Sequence, residues 1–108
     1  MLRREEELLI GDTVEVEVGG LALSSLGSSR LGEIAWEAAQ QWVTDSLLVS
    51  DEAVIQAQRL LWEKCRLVVE PGAATTIAAL LSGAYVPSPE ETVVALVCGA
   101  NVDPATVA

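Results

Sequence analysis

Two apolar stretches set the tightest limit on what this chain can fold into. Ala73 to Leu81 is rich in alanine and apolar nearly all round at helical spacing, so a helix there needs neighbours on several sides. Val93-Val94-Ala95-Leu96-Val97 is the continuous apolar run of a strand covered on both faces. With 108 residues the chain amounts to one small domain with a modest core. Three short strand candidates and two other helices cannot cover both stretches. The sequence therefore points to a piece of a larger sheet, or to an obligate assembly.

The remaining elements are read from spacing and end signals. Residues 13–18 alternate apolar and polar with period two and run into Gly19-Gly20, the pattern of a half-buried strand and its turn. Residues 23–30 are small and polar and read as a loop, with Ser29 available to cap the next helix. That helix fits 31–43, its apolar Leu31, Ile34, Ala35, Ala38 and Trp42 sharing one face that needs a partner. Ser50-Asp51-Glu52 offers a capping hydroxyl and two acids where the helix dipole favours them. A second helix starts there, with Val54, Ala57, Leu61 and Cys65 as its stripe and Gln56, Arg59 and Glu63 outward. Leu67-Val68-Val69 is a short strand candidate, Pro71 suits the first turn of the alanine-rich helix, and Ser82-Gly83 ends it. Residues 85–91, with Pro87 and Pro89, read as a surface loop, and Asp103-Pro104 as a cap and first turn. Strands alternating with helices give an α/β class: a partial parallel sheet with flanking helices, whose ligands gather beyond the carboxyl ends of the strands.

Composition narrows the partners. Six Lys plus Arg against sixteen Asp plus Glu give a net charge of −10, which repels phosphate backbones and anionic membrane surfaces. No apolar run reaches the ~20 residues of a membrane span, and Arg3-Arg4 followed by Glu5-Glu6-Glu7 lacks the apolar core of a signal peptide, so a cytoplasmic location is expected. Cys65 and Cys98 sit in apolar sequence, which in a reducing compartment favours two buried thiols over a bridge. The chain has no histidine and Lys64 is its single lysine, so histidine-based triads and most lysine chemistry are excluded.

Cys98 is the most suggestive position. A thiol that closes a buried strand and precedes glycine stands where α/β enzymes hold ligands, although a small buried residue would look the same. As a nucleophile it lacks a base, and its sequence neighbours carry no positive charge. Gly99, Ala100 and Asn101 are able to turn backbone amides toward an anion. Glu70, ahead of Pro71, is either an acceptor at the helix terminus or a polar group facing a site. Lys64 reads as a solvated partner on its helix, and Trp36, Trp42 and Trp62 as core or interface packing.

Four strings occur in order: Val49-Ser50-Asp51-Glu52, Leu67-Val68-Val69-Glu70-Pro71-Gly72-Ala73-Ala74, Ala79-Leu80-Leu81-Ser82-Gly83, and Val97-Cys98-Gly99-Ala100-Asn101-Val102-Asp103. Together with Leu26-Gly27 and Leu31-Gly32 they resemble the carboxyl-terminal segment of the serine/threonine dehydratases, pyridoxal-phosphate enzymes of the tryptophan-synthase-β fold type. The resemblance covers residues 13–108 as a carboxyl-terminal segment of that catalytic domain and leaves 1–12 as an acidic, unplaced amino-terminal extension.

The resemblance implies an ammonia-lyase that converts L-serine or L-threonine to a 2-oxo acid and ammonia. In such enzymes a Ser or Cys at the position of Cys98 hydrogen-bonds the pyridine nitrogen of pyridoxal phosphate. By the same resemblance Gly99, Asn101 and Glu70 line the cofactor crevice, and the carbonyls of Leu26 and Ser28 ligate a monovalent cation. The family's Schiff-base lysine, serine-rich substrate loop and glycine-rich phosphate loop have no counterpart in this sequence, and Lys64 is not in the lysine motif. The expectation is a carboxyl-terminal fragment, split-gene product or truncated reading frame. It is inactive alone, and self-associates or pairs with the missing amino-terminal part or a homologous subunit. A rival expectation is a non-catalytic acidic interaction module that retains the fold.

Overall fold

The computed structural model describes residues 17–107. It divides into two compact units, Met1–Ser46 and Leu47–Ala108. The strand expected at 13–18 falls mostly outside the described residues.

In the first unit a single helical turn, α1 (Leu23–Leu26), forms where a loop was expected, closed by Leu26 N–H donating to Ala22 O at 2.7 Å. Gly27 comes next because a Cβ there would run into the Leu23 carbonyl. Helix α2 (Glu33–Trp42) starts one turn later than Ser29 would place it. Gly32 is its N-cap, no side chain caps it, and Glu33 faces the positive end of the dipole. The face expected to be buried is open: Ile34 is 86% and Trp42 75% exposed, while Ala39 alone in α2 is buried.

The second unit holds the core. Helix α3 (Asp51–Leu60) begins as its sequence dictates, with Ser50 Oγ accepting from Ala53 N–H at 3.2 Å and Asp51 and Glu52 in the first turn. Its last turn widens into a π turn, Leu61–Cys65, which ends on Arg66 in the left-handed region (φ 57°). Leu67 N–H then reaches back to Leu61 O at 3.2 Å, and the Arg66 guanidinium lies over the Trp62 ring at 5.3 Å. Helix α4 (Pro71–Leu81) has proline at its start, where no intrahelical N–H is needed, and ends at Ser82 before Gly83 with φ 73°.

The helices α3 and α4 pack on alanine. Ala57, Ala74 and Ala78 are fully buried, and Val54, Leu61, Val69 and Ala73 complete the cluster, with Val49, Ile77 and Val97 at its edge. Small side chains let the two backbones approach closely, so the stripe expected on α3 is the one that is buried, except Cys65, which is exposed. Pro104–Thr106 forms a short 3-10 turn, capped by Asp103 Oδ1 accepting from Ala105 N–H at 2.9 Å.

The expected parallel sheet is not present: among the described residues none is in a strand. Residues 67–69 and 93–97 are in neither helix nor strand, and among the described residues only Glu70 N–H to Gly99 O, at 3.0 Å, joins the ends of these segments by a backbone hydrogen bond. A strand exists by its ladder, and the run that should be covered on both faces leaves Val94 88% and Leu96 70% exposed. Among the described residues no helix is long and apolar enough to cross a membrane.

Candidate functional site

These two segments flank an open cleft of about 290 Å³, lined by residues 67–69 on one side and 97–100 on the other. Both walls are fixed from behind. Gln58, on α3, is buried and donates from Nε2 to Val69 O at 2.8 Å, which holds the first wall to the helix. Thr76 Oγ1, on α4, donates to Leu96 O at 3.4 Å and ties the second. Gln58 is absent from the apolar stripe read in the sequence. A signal for it exists, since position 58 falls on the same face as Val54, Ala57 and Leu61, where a lone amide needs a buried partner.

Cys98 lines this cleft, and its thiol is free and exposed, as is that of Cys65. The expected burial of both thiols is thus not met: Cys65 stands in the last turn of the π segment, and Cys98 on a wall without an outer neighbour. Gly99 and Ala100 line the cleft beside Cys98.

Glu70 resolves into neither of its two expected roles in simple form. Its side chain does not cap α4, for which it is the N-cap residue. Instead Oε2 accepts from the Asn101 N–H at 3.2 Å, while Oε1 and Cδ fill the space where a Cβ on Gly99 would stand. Glu70, Cys98, Gly99 and Asn101 are therefore brought together in one unit. Leu26 and Ser28 belong to the other unit, where Leu26 ends α1 and Ser28 Oγ donates to Arg30 O at 2.6 Å. Among the described residues no group of three His, Cys, Asp or Glu side chains is arranged to hold a metal ion.

The expected surface loop carries its own clasp. Tyr85 OH donates to Glu91 Oε1, and Glu91 Oε2 accepts from Ser88 N–H at 3.1 Å. The hydrogen bond to Glu91 pushes the Tyr85 phenol above the usual 10.0, and the same bond, with that from Ser88, holds the Glu91 carboxyl below the usual 4.5.

Pyridoxal phosphate fits the cleft in part. The Cys98 thiol stands at the mouth, which suits a partner for the ring nitrogen. Among the described residues no amine lines the cleft to hold the cofactor covalently: Lys64, exposed on the π turn, is not part of its lining.

The family model described as "Pyridoxal-phosphate dependent enzyme" matches residues 6–99. The chain is 34% identical to the phenylserine dehydratase of Ralstonia pickettii over 84 residues, 78% of this chain and 26% of that protein. It is 31% identical to the serine racemase of Oryza sativa subsp. indica over 77 residues, 68% of this chain and 23% of that protein. The crystal structure of a threonine deaminase from T.th. superposes with a TM-score of 0.78 at 32% identity, covering 91% of this chain and 35% of that one. The chain thus spans about a quarter of the length of these curated relatives. A match from residue 6 through Gly99, the neighbour of the cleft thiol, means that the chain belongs to the pyridoxal-phosphate dependent enzyme family.

Proposed function

We propose that this chain is the carboxyl-terminal part of a pyridoxal-phosphate-dependent dehydratase. Its class of substrate is a β-hydroxy amino acid such as L-serine or L-threonine, and its products are a 2-oxo acid and ammonia. The observation that carries the reading is the position of Cys98. It stands exposed on the cleft wall formed by 97–100, in a chain related to dehydratases and lacking any lysine at that cleft. Bound pyridoxal phosphate supplies the electron sink that lets the α-proton and the β-hydroxyl depart.

The chain's own residues do the rest of what this part of the enzyme does. Cys98 offers its Sγ to the ring nitrogen, and a thiol there leaves the ring a milder sink than a carboxylate partner would. Elimination across the α–β bond needs no long-lived carbanion, so the milder sink suffices. Gly99 makes room for the Glu70 carboxylate, and Asn101 stands at the same turn. The carbonyls of Leu26 and Ser28 are assigned to a monovalent cation, which turnover under potassium against a bulky organic cation would test.

Exposed apolar residues in each unit support completion by another polypeptide segment. Val94, Leu96, Ile34 and Trp42 are each at least 70% exposed, and fully burying such side chains is worth about 1.5–3 kcal/mol apiece. The test is to co-express the chain with the amino-terminal region of a related dehydratase that carries the lysine and phosphate loop. Oxo-acid formation that depends on both chains, and that falls in Cys98→Ala, supports the reading; well-folded partners that associate without turnover contradict it.

A second reading, a non-catalytic acidic interaction module, is favoured by the same exposed residues and by the absence of a lysine at the cleft. It predicts association that is indifferent to Cys98→Ala and no turnover with any partner.

A further inference from the structure

The carboxylate of Glu70 is committed to the turn that carries Cys98. From the main chain, Glu70 N–H donates to Gly99 O at 3.0 Å. From the side chain, Oε2 accepts from Asn101 N–H at 3.2 Å, and these two bonds straddle Ala100. Between them the carboxyl group occupies the place a Cβ on Gly99 would take, with Cγ only 2.9 Å from it. Real Cβ atoms essentially never come so close, so any side chain at 99 must evict the carboxylate. Gly99 shows no left-handed φ, so the requirement for glycine here is one of space and not of backbone conformation. Nor is the carboxylate employed as a cap on its own helix.

We infer that Glu70 is a positioning residue: its carboxylate, seated in the notch left by Gly99 and bonded to the Asn101 amide, fixes the turn 98–101 and with it the direction in which Cys98 is presented. The contribution of this clamp to cofactor binding rests on the reading given under "Proposed function"; the clamp itself does not. It also explains why an exposed turn without strand neighbours keeps a defined shape. Two hydrogen bonds and one steric fit from a residue anchored at the start of α4 replace the ladder that a complete sheet would supply.

Amide hydrogen exchange by NMR on the chain alone, corrected for intrinsic rates, tests this. In Glu70→Ala the Asn101 amide should exchange about tenfold faster, the loss of a charge-assisted bond at an exposed site. Glu70→Gln keeps an acceptor at the same reach and should restore protection to within about threefold, which a loss of general stability would not allow. Gly99→Ala should deprotect Asn101 as Glu70→Ala does, and added to Glu70→Ala should change it less than about twofold, because the notch is then empty. Amides of Ala57 and Ala74 in the core serve as the control and should hold their rates.

Unchanged Asn101 exchange in both Glu70→Ala and Gly99→Ala, or additive effects in the double variant, overturns the clamp. If Glu70→Ala proves unfolded, Glu70→Gln and Gly99→Ala decide alone. Failure of the dehydratase reading shows separately, as absent turnover in the complemented enzyme with the exchange pattern intact.

Discussion

Replacing Gln58 by methionine removes a side-chain bond that holds the first wall of the cleft to helix α3. Gln58 is 6% and Val69 3% exposed, and their bond is 2.8 Å long. Methionine conserves length and fills the same space, so no cavity term enters. The loss is the net value of the hydrogen bond, about 1 kcal/mol, and the new defect is a buried carbonyl without a donor, costing about 1–3 kcal/mol. Burying a thioether in place of an amide returns part of this, so a net destabilisation of about 1–3 kcal/mol is expected. For a chain this small the urea slope is about 1 kcal/mol/M, which places the shift in midpoint at about 1–3 M, followed by far-UV circular dichroism. Gln56→Met, exposed on the opposite face of α3, is the control and should move the midpoint by less than about 0.5 M. A Gln58→Met shift no larger than that of the control would refute the claim that this bond fixes residues 67–69.

Other perturbations test the same structure elsewhere. Ala57→Leu places three extra carbons where α3 and α4 leave no exposed surface and should cost about 1–3 kcal/mol or more in urea denaturation. Ser50→Ala removes the acceptor for Ala53 N–H and should cost about 1 kcal/mol in the same assay, with the loss of ellipticity beginning at α3. Tyr85 is the single tyrosine, so its phenolate absorbance reports one group: it should titrate above 10.0, and Glu91→Gln should bring it back toward that value. The clasp has a definite pH window. Tyr85, raised in the folded state, contributes fully below the unfolded value near 10.0 and is lost as pH rises through the folded one; Glu91, lowered, contributes above about 4.5 and is lost as pH falls through its depressed value.

Legibility in the sequence was mainly local. Ser50 with two acids after it, Pro71 at a helix start, Ser82-Gly83 at its end and Asp103 before Pro104 are short-range signals, and each formed the terminus its residue types require. Strands were not legible in the same way, because Val93–Val97 carries the composition of a covered strand while composition says nothing of the ladder partners that make one, and among the described residues none pairs with it. The open face of α2, with Ile34 and Trp42 in solvent, has the same cause: amphipathic spacing states that a face needs covering and not where the cover is. The π turn at Leu61–Cys65 depends on how Leu67 leaves the helix to reach the cleft wall, which periodicity cannot express. The Glu70–Asn101 bond joins residues 31 positions apart, so the sequence offered Glu70 only as a choice between cap and site.

The measurement that bears most directly on the central claim is titration of the purified chain with pyridoxal phosphate, alone and with the complementary amino-terminal region, followed by borohydride reduction and mass spectrometry of the adduct. The account predicts no reduced adduct on the isolated chain at stoichiometric cofactor. In the complemented protein the adduct should lie on the partner's lysine, with cofactor absorbance that shifts in Cys98→Ala. A stable adduct on Lys64 of the isolated chain would contradict it.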